Sequence, residues 1–282
     1  MYSILIEQHI IPASGRVLLG NINAISIESI LRSIEEKGMS ASYNRNAFKV
    51  IHKSLSDAET KQIIQRNPAS LVSKPKVEKK EMSHWSPEEA KQFISKVSPH
   101  RLSVIFILAI HCGLRQSEIL GLRMSDIDLL NKKLYIRHIL DFKKQLQPGT
   151  KTASGTRSIS ISPLVVQEIK KRIEMIESEK NVVGGNYSDL GHLVCTKNGN
   201  PLPKHHCHEI WSRLLIKAGM RKIRFHDLRH TCASLLLSLN FHPKIIQDRL
   251  GHTSFKITMD LYSHLMPNMQ IEASDALENL LK

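Results

Sequence analysis

Cysteine is scarce and scattered in this sequence. Cys112, Cys195, Cys207 and Cys232 form no C-x-x-C pair, which argues against a zinc site and a disulfide framework and fits a reducing compartment. Long hydrophobic runs are missing too. The longest, Val104 to Ile110, falls far short of the roughly 20 apolar residues that span a bilayer. The opening M-Y-S-I-L-I-E-Q-H-I-I-P lacks a basic leader and carries Glu7 inside its short apolar run, so it does not read as a signal peptide. No internal repeat or low-complexity tract is visible. Acidic residues are in deficit: 26 Asp and Glu stand against 40 Lys and Arg, a formal charge of +14 and a pI of about 9.7. These absences describe a soluble, intracellular, cytoplasmic protein with no membrane partner. The surplus charge favours a polyanion, the phosphate backbone of a nucleic acid first.

What is present divides into two regions. A length of 282 residues with a 41% hydrophobic fraction suits one or two domains with sizeable cores. Up to about Val72 the pattern is helical: Ser26 is expected to cap a first helix that Gly38 ends, and Ser40 or Ser42 a second through Phe48, Val50, Ile51 and Leu55. Asn67-Pro68 closes the region. The charged stretch S-K-P-K-V-E-K-K-E-M-S then reads as a linker, giving expected bounds of 1–74 for the first domain and 75–84 for the linker. Ser86-Pro87-Glu88-Glu89 predicts a capped helix start. The segment from Val104 to Cys112 is apolar on every face and predicts a buried central helix ended by Gly113. K-K-L-Y-I-R-H-I-L and T-R-S-I-S-I-S alternate like strands, predicting one hairpin or small sheet with Q-L-Q-P-G-T-K-T-A-S-G at its tip. A helix over Pro163 to about Ser178 and further helices from His205 complete a mainly α fold with a small antiparallel β-sheet.

Several side chains suit phosphate chemistry. His226 and Arg229 sit at i and i+3 in R-F-H-D-L-R-H-T, within reach of one ligand, and the planar guanidinium grips two phosphate oxygens at once. Their other reading is a helix start with Asp227 and His230 in solvent. Arg115 follows the buried helix and its glycine, with Glu118 one turn on to orient it; the alternative is a surface ion pair of little worth. Lys151 lies at the hairpin tip, where an ammonium can protonate a departing alkoxide, and Lys143 and Lys144 compete for that role. His252 in L-G-H-T-S can donate to a phosphate oxygen. Tyr262 is a weak nucleophile at its ordinary pKa of about 10 and needs positive charge and a proton acceptor nearby. The tract His205-His206-Cys207-His208 lies on one short stretch without further ligands, so no metal is expected.

In this order the motifs G-L-R-Q-S-E-I-L-G-L, T-K-T-A-S-G-T-R-S-I, H-D-L-R-H-T, L-G-H-T-S and L-Y-S-H resemble those of the tyrosine recombinases, or phage integrases. The likeness runs from about Ser26 to Leu265. It implies a helical core-binding domain over 1–74, shorter than in many integrases, with little room for a full first helix and none for an arm-site-binding domain. A mixed α/β catalytic domain over 85–265 and a C-terminal helix over 266–282 for subunit contact follow. Under the same resemblance Arg115 and Arg229 bind the phosphate, Lys151 is the general acid, and His226 assists the phenol proton. His252 supports the transition state and Tyr262 is the nucleophile, with Glu118 and Asp227 supporting. No cofactor, metal or ATP is implied. The implied partners are double-stranded DNA at specific attachment sites, a homotetramer on two such sites, and accessory DNA-bending or excisionase proteins, in the nucleoid of a bacterial cell. The implied role is integration or excision of a prophage or mobile element. A Xer-like resolvase, a type IB topoisomerase and a DNA-binding protein using the fold without strand exchange are the alternatives.

Overall fold

A computed structural model of the chain describes residues 2–78, 83–149, 157–251, 277–279 and 281. Lys151, His252 and Tyr262 lie outside the described residues, as do residues 266–276 of the C-terminal tail. The chain divides into two compact units, Met1–Glu81 and Met82–Lys282.

In the first unit helical turns run through Tyr2–Leu5, a π-helical stretch Ile6–Ile10, and Ile11–Ser14. The short stretch expected to hold little of a first helix is helical over these residues. The reason is packing: Leu5 and Ile10 join the core formed by the helices that follow, and the His9 ring meets Tyr43 edge-on. Helix α1 (Ala24–Glu36) buries Ile27, Ile30, Leu31 and Ile34 on one stripe. Its cap is Asn23, whose side chain accepts from the Ser26 amide at 2.9 Å, so Ser26 is the capped residue rather than the cap. Both residue types favour that position, and the choice between them is made by the backbone. Helix α2 (Ala41–Thr60) is capped by Ser40. Asn67 is fully buried and staples the exit: its amide donates to His52 O and Ser56 Oγ at 3.1 and 2.8 Å, and its oxygen accepts from the Ala69 amide.

The second unit is built on the apolar helix. Helix α3 (Pro87–Val97) starts with the full Ser86–Glu89 capping box. Helix α4 (Ser103–Cys112) has every residue buried except His111, as an all-apolar helix must in water. Aromatic residues are few but concentrated here, with Trp85, Phe93, Phe106, Trp211 and Phe225 in mutual ring contact. Short helix α5 (Gln116–Gly121) follows. The expected hairpin or small antiparallel sheet is present and its two predicted segments pair: β1 (Ile127–Asp128), β2 (Lys133–Ile136) and β5 (Arg157–Ser160) form one sheet, while β3 (His138–Leu140) pairs with β4 (Leu146–Pro148) in a second. Part of the anticipated tip is thus itself a strand, because Lys144 takes a left-handed φ of 61° and turns the chain back early. Helix α6 (Pro163–Val183) outruns its expected end and buries Arg172 within its apolar stripe, where Leu193 O and Glu179 receive it. Helices α7 (Lys204–Lys217), α8 (Asp227–Ser238) and α9 (Pro243–Leu250) complete the unit. No helix among the described residues is long and apolar enough to cross a membrane. All four cysteines are buried and free.

Gly113 caps α4 with φ 63°, and a Cβ there would lie 2.2 Å from the Leu250 side chain and 3.2 Å from Cys232 Sγ. Left-handed backbone strain and overpacking act together at this position. Gly113→Ala is expected to lower unfolding stability by about 2–4 kcal/mol in urea titrations; a loss below about 0.5 kcal/mol would show that α9 does not seat on α4 in this way.

Candidate functional site

Helix α9 ends in the successive carbonyls of Arg249, Leu250 and Gly251. Each is met by an arginine from a different element. Arg157 Nε on β5 donates to Arg249 O at 3.0 Å, Arg229 Nη2 on α8 donates to Leu250 O at 2.5 Å, and Arg115 Nη2 before α5 donates to Gly251 O at 2.8 Å. Helix C-termini carry unsatisfied carbonyls and partial negative charge, so guanidinium groups answer both needs. Arg249 itself turns outward to His111 O and Ser160 O.

Glu118 lies beneath this cluster with 2% of its side chain exposed. Its oxygens accept from the Arg115 amide and Arg115 Nη1, both at 2.8 Å, and from Arg157 Nη1 and Nη2, both at 3.0 Å. Four bonds saturate a carboxylate. Burial works to raise the Glu118 carboxyl, but the Arg157 hydrogen bonds and charge, with Arg115 behind them, prevail and hold it below the ordinary value of 4.5. Glu118 is buried against Arg115, so the pair is not confined to the surface.

Arg229 is 2% exposed and bridges two helix ends, donating to Gly113 O at 2.6 Å as well as to Leu250 O. Burial, with like charge from Arg115, pulls its guanidinium down to about 9, still protonated at neutral pH. His226 sits at the N-cap of α8 rather than inside it, with its ring exposed. Desolvation and the Arg229 charge lower its pKa, leaving a neutral imidazole near pH 7. It meets His230 edge-on at 5.2 Å. The reading that left Asp227 and His230 in solvent is corrected. Both are buried, because Asp227 accepts from the Arg224 amide and guanidinium at 2.7–3.1 Å and so fixes the turn that enters α8.

The structure thus gathers Arg115, Glu118 and Arg229 around the end of α9, with His226 at the start of α8. Arg157 and Arg249 were missed in the sequence. Arg157 was legible: it shares the inward face of its strand with Ile159 and Ile161, and a cation on the apolar face of an alternating strand must have a buried partner. Arg115, Arg157, Arg229, Arg249 and Glu118 together sum to +3, a site suited to a strongly anionic ligand. In His205–His208, Cys207 is buried while the three histidines are exposed, the rings of His205 and His206 lying 4.5 Å apart.

Loss of the Glu118 charge leaves two guanidinium groups without their carboxylate. Glu118→Gln is expected to cost about 3–5 kcal/mol at neutral pH. Because its folded pKa is depressed, the stabilisation by Glu118 is fully present above 4.5 and fades as pH falls through the lower folded value. The gap between wild type and variant should therefore narrow on acidification in unfolding titrations, and a gap that stays constant would contradict the ion-pair account.

Comparison with known proteins adds to this geometry. Residues 84–269 match the family described as the phage integrase family. A XerC-like tyrosine recombinase of Caldanaerobacter subterraneus subsp. tengcongensis is 29% identical over 214 residues, covering 71% of this chain and 55% of that protein. The ICEBs1 integrase of Bacillus subtilis is 28% identical over 285 residues, covering 98% of this chain and 76% of that one. The chain therefore spans between about half and three quarters of the length of these relatives. Among solved structures, the Tn1549 transposon integrase in complex with a circular intermediate DNA has the same fold, with a TM-score of 0.82 at 20% identity over 98% of this chain and 92% of that chain.

Proposed function

The chain belongs to the phage integrase family, and from that premise we propose that it is a site-specific recombinase that cleaves and rejoins double-stranded DNA. The observation that carries this reading is the net positive cluster around the end of α9, immediately before His252 in the sequence. Arg115 and Arg229 each use two N–H groups on described partners. Arg115 keeps an open side, 34% of its side chain being exposed, while the enclosed Arg229 adds its charge from beneath. Their charge suits the non-bridging oxygens of a scissile phosphate, where negative charge grows in the transition state.

In the proposed reaction the Tyr262 oxygen attacks phosphorus, forming a 3′-phosphotyrosine bond as the bond to the 5′ oxygen breaks. Lys151 gives a proton to the departing 5′ oxygen. The neutral His226 ring takes the phenol proton, and His252 supports the phosphate. A 5′-hydroxyl from the partner duplex then attacks the phosphotyrosine and restores the tyrosine. The phosphodiester energy is kept in the covalent link, so the step needs no ATP. Residues 1–74 serve as a core-binding domain, 85–265 as the catalytic domain and 266–282 as a subunit contact. The assembly is a homotetramer on two attachment sites, and the biological role is movement of a prophage or mobile element, with DNA-bending or excisionase proteins as accessories. Integrase relatives and a DNA-bound neighbour of the same fold support the reading.

The decisive test incubates the protein with a nicked suicide duplex carrying its site and resolves the products under denaturing conditions. A covalent protein–DNA adduct should form with wild type and be absent with Tyr262→Phe, while DNA affinity in a shift assay is retained. An adduct that persists in Tyr262→Phe would displace Tyr262 as the nucleophile. Affinity should fall linearly with salt on logarithmic axes through counterion release, and a flat response would speak against DNA. Since the His226 pKa lies below 6.5, its acceptor form persists as pH falls through that value. Adduct formation limited by His226 should therefore decline only below it, and a decline centred above 6.5 would remove His226 from the proton-accepting role.

A further inference from the structure

Arg157 has no part in the reaction as described, yet its contacts reach both sides of the cluster. Its side chain is 9% exposed. Three of its donors are committed: Nη1 and Nη2 to the two Glu118 oxygens, and Nε to the Arg249 carbonyl, all at 3.0 Å. The face of the same guanidinium lies against Gly251, where an added Cβ would come within 2.9–3.0 Å of Nη1, Cζ and Nε. Gly251 also takes a φ of 65°. A glycine is required there both for its backbone and because the guanidinium fills the place of a side chain.

We propose that Arg157 is a positioning residue for DNA cleavage. It fixes the plane of Glu118, which in turn aims Arg115, and it seats the end of α9 against that same arginine. The chain of reasoning is geometric. Glu118 is saturated by four bonds, two from each arginine, so rotation of its carboxylate would break bonds to both. The bidentate fork of Arg157 is what forbids that rotation, because only a planar guanidinium binds both oxygens in one fixed plane. Arg115 is the member with an open side, 34% of its side chain being exposed. Its remaining freedom is limited by Glu118 Oε1 on one side and Gly251 O on the other, and Arg157 sets the position of both. Lysine at this position keeps the charge and loses the fork.

This inference rests on the recombinase reading, and one experiment separates the two. The substrate is a duplex selected from random sequence by the wild-type protein and nicked beside its mapped cleavage position. It is made with either an ordinary phosphate or a methylphosphonate at that position. In the methylphosphonate a methyl group replaces one non-bridging oxygen and removes the charge that Arg115 would neutralise. If Arg157 acts through Arg115, Arg157→Lys should slow adduct formation on phosphate by about 100-fold. The loss on methylphosphonate should be about 10-fold or less, so the ratio of the methylphosphonate rate to the phosphate rate rises by about 10-fold or more. Taking the ratio within one preparation cancels any inactive or misfolded fraction. In an Arg115→Ala background, Arg157→Lys should leave the ratio unchanged. Equal losses on both substrates would reduce Arg157 to a structural residue and overturn the proposal. An increase in the ratio that persists without Arg115 would overturn its route through that side chain. Absence of any adduct with wild type on either substrate would instead sink the recombinase reading, and this inference with it.

Discussion

The site in the second unit depends on the end of helix α9, because arginines from three other elements are held to its carbonyls. Ordinarily a helix end of this kind is turned to water or closed by amides of the following loop. Here β5, α8 and the residue before α5 each contribute an arginine to one of three successive carbonyls. Elements distant in sequence are thereby held to one point, and the side chains proposed to bind phosphate share a frame made of backbone. A frame of backbone acceptors suits that purpose because a carbonyl has no rotamer to change.

The arrangement also resolves a conflict between burial and charge. Arg229 is almost wholly enclosed, and an unpaired guanidinium there would be strongly disfavoured. Among the described residues it meets no carboxylate directly. Instead it joins the carbonyl ends of α4 and α9, two regions of partial negative charge, and these keep it protonated without neutralising it. Glu118 offsets one of the remaining charges. The residue of positive charge is therefore not an error of packing but the condition for binding an anion, since a fully neutralised cluster would have nothing to offer a phosphate.

Much of this was legible in the sequence, for reasons that differ from residue to residue. The central helix was readable because an apolar segment without polar faces has only one place to go. Arg115, Glu118 and Arg229 were readable through the resemblance of their motifs to those of the tyrosine recombinases, and the structure brings those three together. Arg157 was overlooked although its alternation with Ile159 and Ile161 marked an inward cation. The first helical turns at Tyr2–Ser14 and the second sheet depended on tertiary contacts and on a left-handed residue at Lys144, neither of which local patterning encodes. Asn23 and Ser26 were indistinguishable as caps by residue type alone. The aromatic cluster around Trp85 was also invisible, because its members are spread from residue 85 to residue 225.

The two glycines at the helix ends show why the motifs are spelled as they are. Gly113 and Gly251 both adopt left-handed backbone, and each is crowded by a group from another element: Leu250 against Gly113, and the Arg157 guanidinium against Gly251. Each glycine thus turns its chain and admits a neighbour at the same position. The first turn exposes Gly113 O to Arg229 and leads directly into Arg115. The second presents Gly251 O to Arg115 and lays its α-carbon on Arg157. In G-L-R-Q-S-E and L-G-H-T-S the glycine is accordingly a structural partner of arginines outside its own motif. The order of the motifs along the chain records which helix ends must meet.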